Sequence, residues 1–107
     1  MSTGREHQSS CPQKFAELTD DVLLGDMWTR TQLSPRERSL ATVAALVAMY
    51  RPEQLPFHLK RALDNGLSVE ELAEVITHLA FYSGWPTAAS ALNVLSELQA
   101  SLPTPQE

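Results

Sequence analysis

Apolar residues recur at helical spacing through most of the chain, and one run is apolar almost all round. From Ser39 to Met49 the only polar side chains are Ser39 and Thr42. A helix apolar on one stripe lies on a surface, whereas one apolar on every side is enclosed. The run is preceded by Ser34-Pro35-Arg36-Glu37, a Ser-x-x-Glu capping box with proline at a first helical position. The pattern predicts a central helix from about Pro35 to Tyr50, wrapped by the other helices and by helices of another subunit. Arg51-Pro52 follows too soon for the run to span a bilayer.

The remaining segments read as helices around it. Pro12 opens a helix over Gln13 to Leu24 with Phe15, Leu18, Val22 and Leu23 on its apolar side. Thr19, Asp20 and Asp21 weaken its middle and allow two short helices instead. Gly25-Asp26 ends it, and Met27 to Leu33 reads as an extended connector. A helix over Glu53 to Asp64 carries Pro56 in its first turn and Leu55, Leu59, Ala62 and Leu63 on its inner stripe. Asn65-Gly66 stops it. Ser68 and Glu71 form a second capping box, opening a helix whose Leu72, Ile76, Leu79 and Ala80 point inward until Ser83-Gly84. Trp85-Pro86 begins the last helix, to about Ala100, with Ala88, Ala91, Leu92, Leu95 and Leu98 or Gln99 buried. No segment alternates with period two. The class is all-α, a small bundle of five or six helices in one domain over 1–107, with 1–11 and 102–107 as loose termini.

Composition narrows the function. The 107 residues are 43% hydrophobic and 20% charged, which is globular, and the net charge of -5 argues against nucleic-acid binding. The N-terminal stretch has no apolar run, so neither a leader nor a membrane anchor is expected. The single cysteine, Cys11, cannot form an internal disulfide or a Cys-x-x-Cys pair and suits a reducing cytoplasm. There is no phosphate loop, no HExxH, no nucleophile elbow and no cysteine-histidine cluster, so no metal site is expected.

Two histidines remain as candidates for chemistry, since His7 on the polar arm reads as solvated surface. His58 stands three residues after Leu55 and four before Ala62, on or beside the inner stripe. It reads either as a core histidine bonded to a carbonyl or as a proton carrier. Glu37 shares a stripe with Leu40, Ala41 and Ala44; it is either a cap alone or a carboxylate partner for a neighbouring histidine. His78, with Glu74 and Tyr82 four residues to either side, reads as surface or as part of a pocket. Trp28, Tyr82 and Trp85 read as core or as cavity walls. Arg30, Arg36 and Arg38 cluster around the start of the central helix, as solvated charge or as carboxylate binders.

The ordered run Leu33-Ser34-Pro35-Arg36-Glu37-Arg38-Ser39-Leu40-Ala41-Thr42-Val43-Ala44, then His58-Leu59, Ala62-Leu63-Asp64-Asn65-Gly66-Leu67-Ser68, and Glu74-Val75-Ile76-Thr77-His78-Leu79-Ala80-Phe81-Tyr82-Ser83-Gly84-Trp85-Pro86, resembles the carboxymuconolactone decarboxylase family over roughly Phe15 to Ala100. The resemblance implies an alkylhydroperoxidase D-like helical subunit that assembles into homo-oligomeric rings, trimers or hexamers. His58 and Glu37 match the histidine and glutamate of the peroxidase branch, but Arg51 to Gln54 holds none of its cysteines. Without a thiolate there is no thiol peroxidase, and the chain resembles the cysteine-free, decarboxylase-like branch. That implies a cofactor-free lyase in aromatic catabolism, acting on a small unsaturated lactone acid such as γ-carboxymuconolactone. His58 is then the proton donor and Glu37 orients it. His78 or one of Arg30, Arg36 and Arg38 contacts the ligand, and Trp28, Tyr82 and Trp85 wall the site. The alternatives are a cofactor-independent isomerase, dehydratase or oxidoreductase on a related unsaturated carbonyl compound, or a non-catalytic ring-forming binding protein.

Overall fold

A computed structural model describes residues 12–102, and every regular element in that range is helical. Among the described residues there are five α-helices: α1 Gln13–Glu17, α2 Pro35–Ala48, α3 Leu55–Asp64, α4 Val69–Ser83 and α5 Trp85–Ser101. The expectations for Cys11, for the N-terminal arm and for Pro103 onward concern residues outside the described range. The chain divides into two compact units with the boundary at Pro35.

In the N-terminal unit the helix expected over Gln13 to Leu24 changes character in its middle. α1 ends at Glu17, and Leu18–Leu24 is wound as a π-helix. Thr19 Oγ1 donates to the Phe15 carbonyl at 2.9 Å, a back-bond to the preceding turn that accompanies the change. Gly25 is required at its end, because a Cβ there would lie 2.8 Å from the Asp21 carbonyl oxygen. The connector is not fully extended as expected. Met27–Thr29 forms a 3-10 turn, with Thr29 Oγ1 donating to the Asp26 carbonyl at 2.9 Å. The apolar side is open rather than buried: Phe15, Leu18, Val22, Leu23 and Met27 line a shallow groove.

The C-terminal unit holds the main core. It is built from Val43 and Val47 of α2, Leu55, Leu59 and Ala62 of α3, Leu67 of the connection that follows, Leu72, Ile76 and Ala80 of α4, and Ala88, Ala91 and Leu95 of α5. The inner stripes expected of α3, α4 and α5 are therefore in place, except that Leu92 is exposed and Leu63, Leu79 and Leu98 pack only partly. Each large aliphatic side chain so buried contributes about 1.5–3 kcal/mol. Within the C-terminal unit α2 is not enclosed. Its buried residues are Ser39, Val43 and Val47, while Ala41, Ala45, Ala48 and Met49 face outward. Side chains one turn apart along a single stripe reach this core, and no other helix of the C-terminal unit covers the far face.

The helix ends follow backbone chemistry. Ser68 and Glu71 form the expected capping box, each bond 3.0 Å long. α3 begins at Leu55, two residues later than expected, because Pro52 to Gln54 make turns; Pro56 does lie in its first turn. α2 and α3 end in the same way. Tyr50 N–H donates to Val47 O and Arg51 N–H to Leu46 O; Gly66 N–H donates to Leu63 O and Leu67 N–H to Ala62 O. Both are Schellman motifs, which place one residue in the left-handed region. Gly66 adopts φ 108° without a Cβ penalty, whereas Tyr50 adopts φ 58° at a cost of about 1 kcal/mol.

Candidate active site

At about 100° per residue, α3 presents three rows to its surroundings. Leu55, Leu59 and Ala62 point straight into the core. Leu63 lies on one shoulder of that row. On the other shoulder lie His58 and Arg61, both half-buried, and the row ends at Asn65. Asn65 Nδ2 donates to Ser39 Oγ of α2 at 2.9 Å, and Ser39 is 1% exposed. A polar row thus runs along the edge of an apolar core.

His58 is the chemically loaded member. Its Nδ1 is shielded from solvent and has no hydrogen-bond partner. A buried polar atom left so costs about 1–3 kcal/mol, and such atoms in a native fold call for an explanation. The Phe57 ring meets the imidazole edge-on, with centroids 5.0 Å apart and planes at 89°. Burial lowers the His58 pKa from its ordinary value of 6.5, and the positive charge of Arg61 lowers it further. The resting imidazole is therefore neutral at pH 7, placed one helical turn from a guanidinium, and able to accept or hand on a proton.

Glu37 is exposed in the first turn of α2 and does not hold Nδ1, which has no partner. The direction of the His58 shift agrees, since a neighbouring carboxylate would raise it. Arg36 is accounted for structurally: its Nη2 donates to Glu71 Oε2. That bond, after the one from the Ser68 backbone, holds the Glu71 carboxyl below its usual range. Arg38 is half-buried on the next turn of α2.

The second cluster lies on an open face. His78 and Tyr82 stack with centroids 4.9 Å apart, and Phe81 meets Trp85 edge-on at 5.9 Å. Tyr82 is 76% and Trp85 65% exposed, so within one chain they wall no enclosed cavity. Trp28 and Arg30 belong to the N-terminal unit, half-buried and exposed respectively. Among the described residues no three His, Cys, Asp or Glu side chains are grouped to hold a metal ion. None of the described helices is long and apolar enough to cross a membrane. Arg61 belongs to no motif in the sequence. The available signal was its spacing, three residues after His58 on the same shoulder of an amphipathic helix.

The profile of the carboxymuconolactone decarboxylase family matches residues 13–97, most of the chain. The 4-carboxymuconolactone decarboxylase of Acinetobacter baylyi is 32% identical over 93 residues, 87% of this chain and 69% of that protein. The nitrosuccinic acid decarboxylase of Metarhizium robertsii is 31% identical over 78 residues, 73% of this chain and 54% of that protein. The chain spans about two thirds of the first relative and about half of the second.

Proposed function

The chain belongs to the carboxymuconolactone decarboxylase family, and from that premise we propose that it is a decarboxylase of small electron-accepting acids in which His58 handles the proton. The observation that carries the role of His58 is its shielded, unpartnered Nδ1 on the shoulder of α3. γ-Carboxymuconolactone is the first substrate. The carbon–carbon bond to its carboxylate breaks and CO2 leaves. The electron pair enters the unsaturated lactone as a dienolate, and His58 returns a proton to carbon before solvent reprotonates it. A bound anion beside a neutral imidazole favours the imidazolium form, so the proton arrives with the substrate. Glu37 would act on His58 only after a side-chain movement towards it.

A second substrate follows from the fungal relative. Nitrosuccinic acid, named for that protein, also leaves an electron pair that the rest of the molecule can take, here through its nitro group. Both named acids carry a second carboxyl that the reaction leaves in place. The exposed outer face of α2, together with Phe81, Tyr82 and Trp85, supports a homo-oligomer, trimer or hexamer, in which apolar surface is covered. Native mass spectrometry reads that directly.

The deciding assay incubates the purified protein with γ-carboxymuconolactone, and separately with 2-nitrosuccinate, while CO2 and substrate are followed together. CO2 release that disappears in His58→Ala is the expected result. Consumption of substrate without CO2 would instead make the protein an isomerase, dehydratase or oxidoreductase. Binding without turnover would make it a ring-forming binding protein.

A further inference from the structure

We propose that Arg61 anchors the carboxylate that the substrate keeps, holding it against the His58 imidazole on the inner shoulder of α3. The ligand's identity rests on the decarboxylase reading above; the existence of an anion site there does not.

The placement carries the argument. Arg61 follows His58 by three residues, the spacing at which side chains on one helix meet. Both are half-buried, and Arg61 Nε and His58 Nδ1 are each shielded from solvent. The acid on α3 itself, Asp64, faces the outer side and takes Lys60 at 3.1 Å. On α5, which packs against α3, the one charged side chain is Glu97, and it is exposed. On α2, Glu37 is exposed while Arg36 is bonded to Glu71. The Arg61 guanidinium and the imidazole with its unpartnered Nδ1 lie on one shoulder of α3, at the edge of the core. A guanidinium offers five donors, so it can take a carboxylate in addition to its resting contacts.

Which carboxylate it takes follows from the reaction. The departing group loses its charge as CO2 forms, so a strong ion pair to it would stabilise the ground state over the transition state and slow the step. The retained carboxylate keeps its charge throughout. Bound between Arg61 and His58, it pairs bidentately with the fork and neutralises the repulsion that disfavours imidazolium. One anchor then both selects acids with two carboxylates and charges the proton donor. The proton comes from solvent on binding, passes from His58 to carbon, and Arg61 stays charged at every stage.

The test uses the full-length protein and maleate, a diacid. The His58 ring signals are followed by NMR across pH, with and without maleate, in wild type, Arg61→Gln, Arg61→Lys and the outer-face control Lys60→Gln. Wild type should bind maleate with the His58 midpoint moving upward. Arg61→Gln should weaken binding roughly ten- to a hundredfold, as loss of a charged hydrogen-bond pair does, and its unliganded His58 midpoint should lie above that of wild type. Lys60→Gln should match wild type. If Arg61→Gln fails to fold, Arg61→Lys decides, because an ammonium keeps the charge and loses the fork: weaker maleate binding than wild type supports the fork pairing, and binding equal to wild type overturns it. Maleate that leaves wild-type His58 unmoved, or binds the Arg61 variants as well as wild type, overturns the proposal. His58-dependent CO2 release with KM unchanged in both Arg61 variants sinks the anchor and spares the decarboxylase. Arg61-dependent maleate binding with no CO2 from any acid does the reverse.

Discussion

His58 and His78 are the same residue on neighbouring helices, and the fold gives them different chemistry. His58 flanks a core row whose Leu59 is fully buried, so its ring is half withdrawn from water and Nδ1 loses every partner. Its pKa falls because burial disfavours the charged ring and Arg61 opposes it. His78 lies on the outer side of α4, where it stacks on Tyr82 in open solvent. The difference is an angle: one position sits beside an inner stripe and the other opposite it. A histidine becomes a proton carrier of altered affinity through the row it occupies; the spacing of His58 to Leu55 and Ala62 shows that row, and the packed core sets how much water the ring loses.

The sharpest way to break this comparison is catalytic. His58→Ala should lower turnover about 10²- to 10⁴-fold, the usual contribution of a positioned acid or base, while His78→Ala should stay within about twofold of wild type; kcat for the two variants on one substrate is enough. Next comes what holds each ring. Leu59→Ala, beneath His58, should cost about 2–5 kcal/mol in urea unfolding, because it opens a cavity in a row with no exposed surface. α4 is held at its start by a local device, so Ser68→Ala should cost only about 1 kcal/mol.

The smallest effect is a slope. Folded His58 binds its proton less tightly than the unfolded chain does, so between its folded value and 6.5 the unfolded state takes up the extra proton. Stability should therefore fall as pH drops through that window and be independent of His58 above it. Urea midpoints from pH 7.5 to 5 should show the decline in wild type, a flatter line in His58→Gln, and the wild-type slope in His78→Gln.

Much of the architecture could be read before any coordinates. The boundaries at Ser68, Asn65-Gly66 and Gly84 are set by side chains that bond their own backbone or by residues that tolerate positive φ, and such interactions span only a few positions. The inner stripes of α3, α4 and α5 followed from helical spacing, and the order of short motifs carried the family. Reading was weakest where a single chain leaves a surface uncovered. The apolar run of α2 looked enclosed, but periodicity records how greasy a helix is and says nothing of what stands opposite each side. Residues 18–24 kept a helical pattern yet took the π winding.

What the amino-acid order determined alone was the helical class, the ends of its helices, their inward rows and the kinship with decarboxylases, because all of these depend on contacts or patterns local along the chain. What only the tertiary structure decided was which histidine lost its water, that Arg61 and not Glu37 is the charge acting on it, and that Tyr82 and Trp85 face outward. Those outcomes depend on how packed helices share solvent and electric field, a property of residues distant in sequence and close in space.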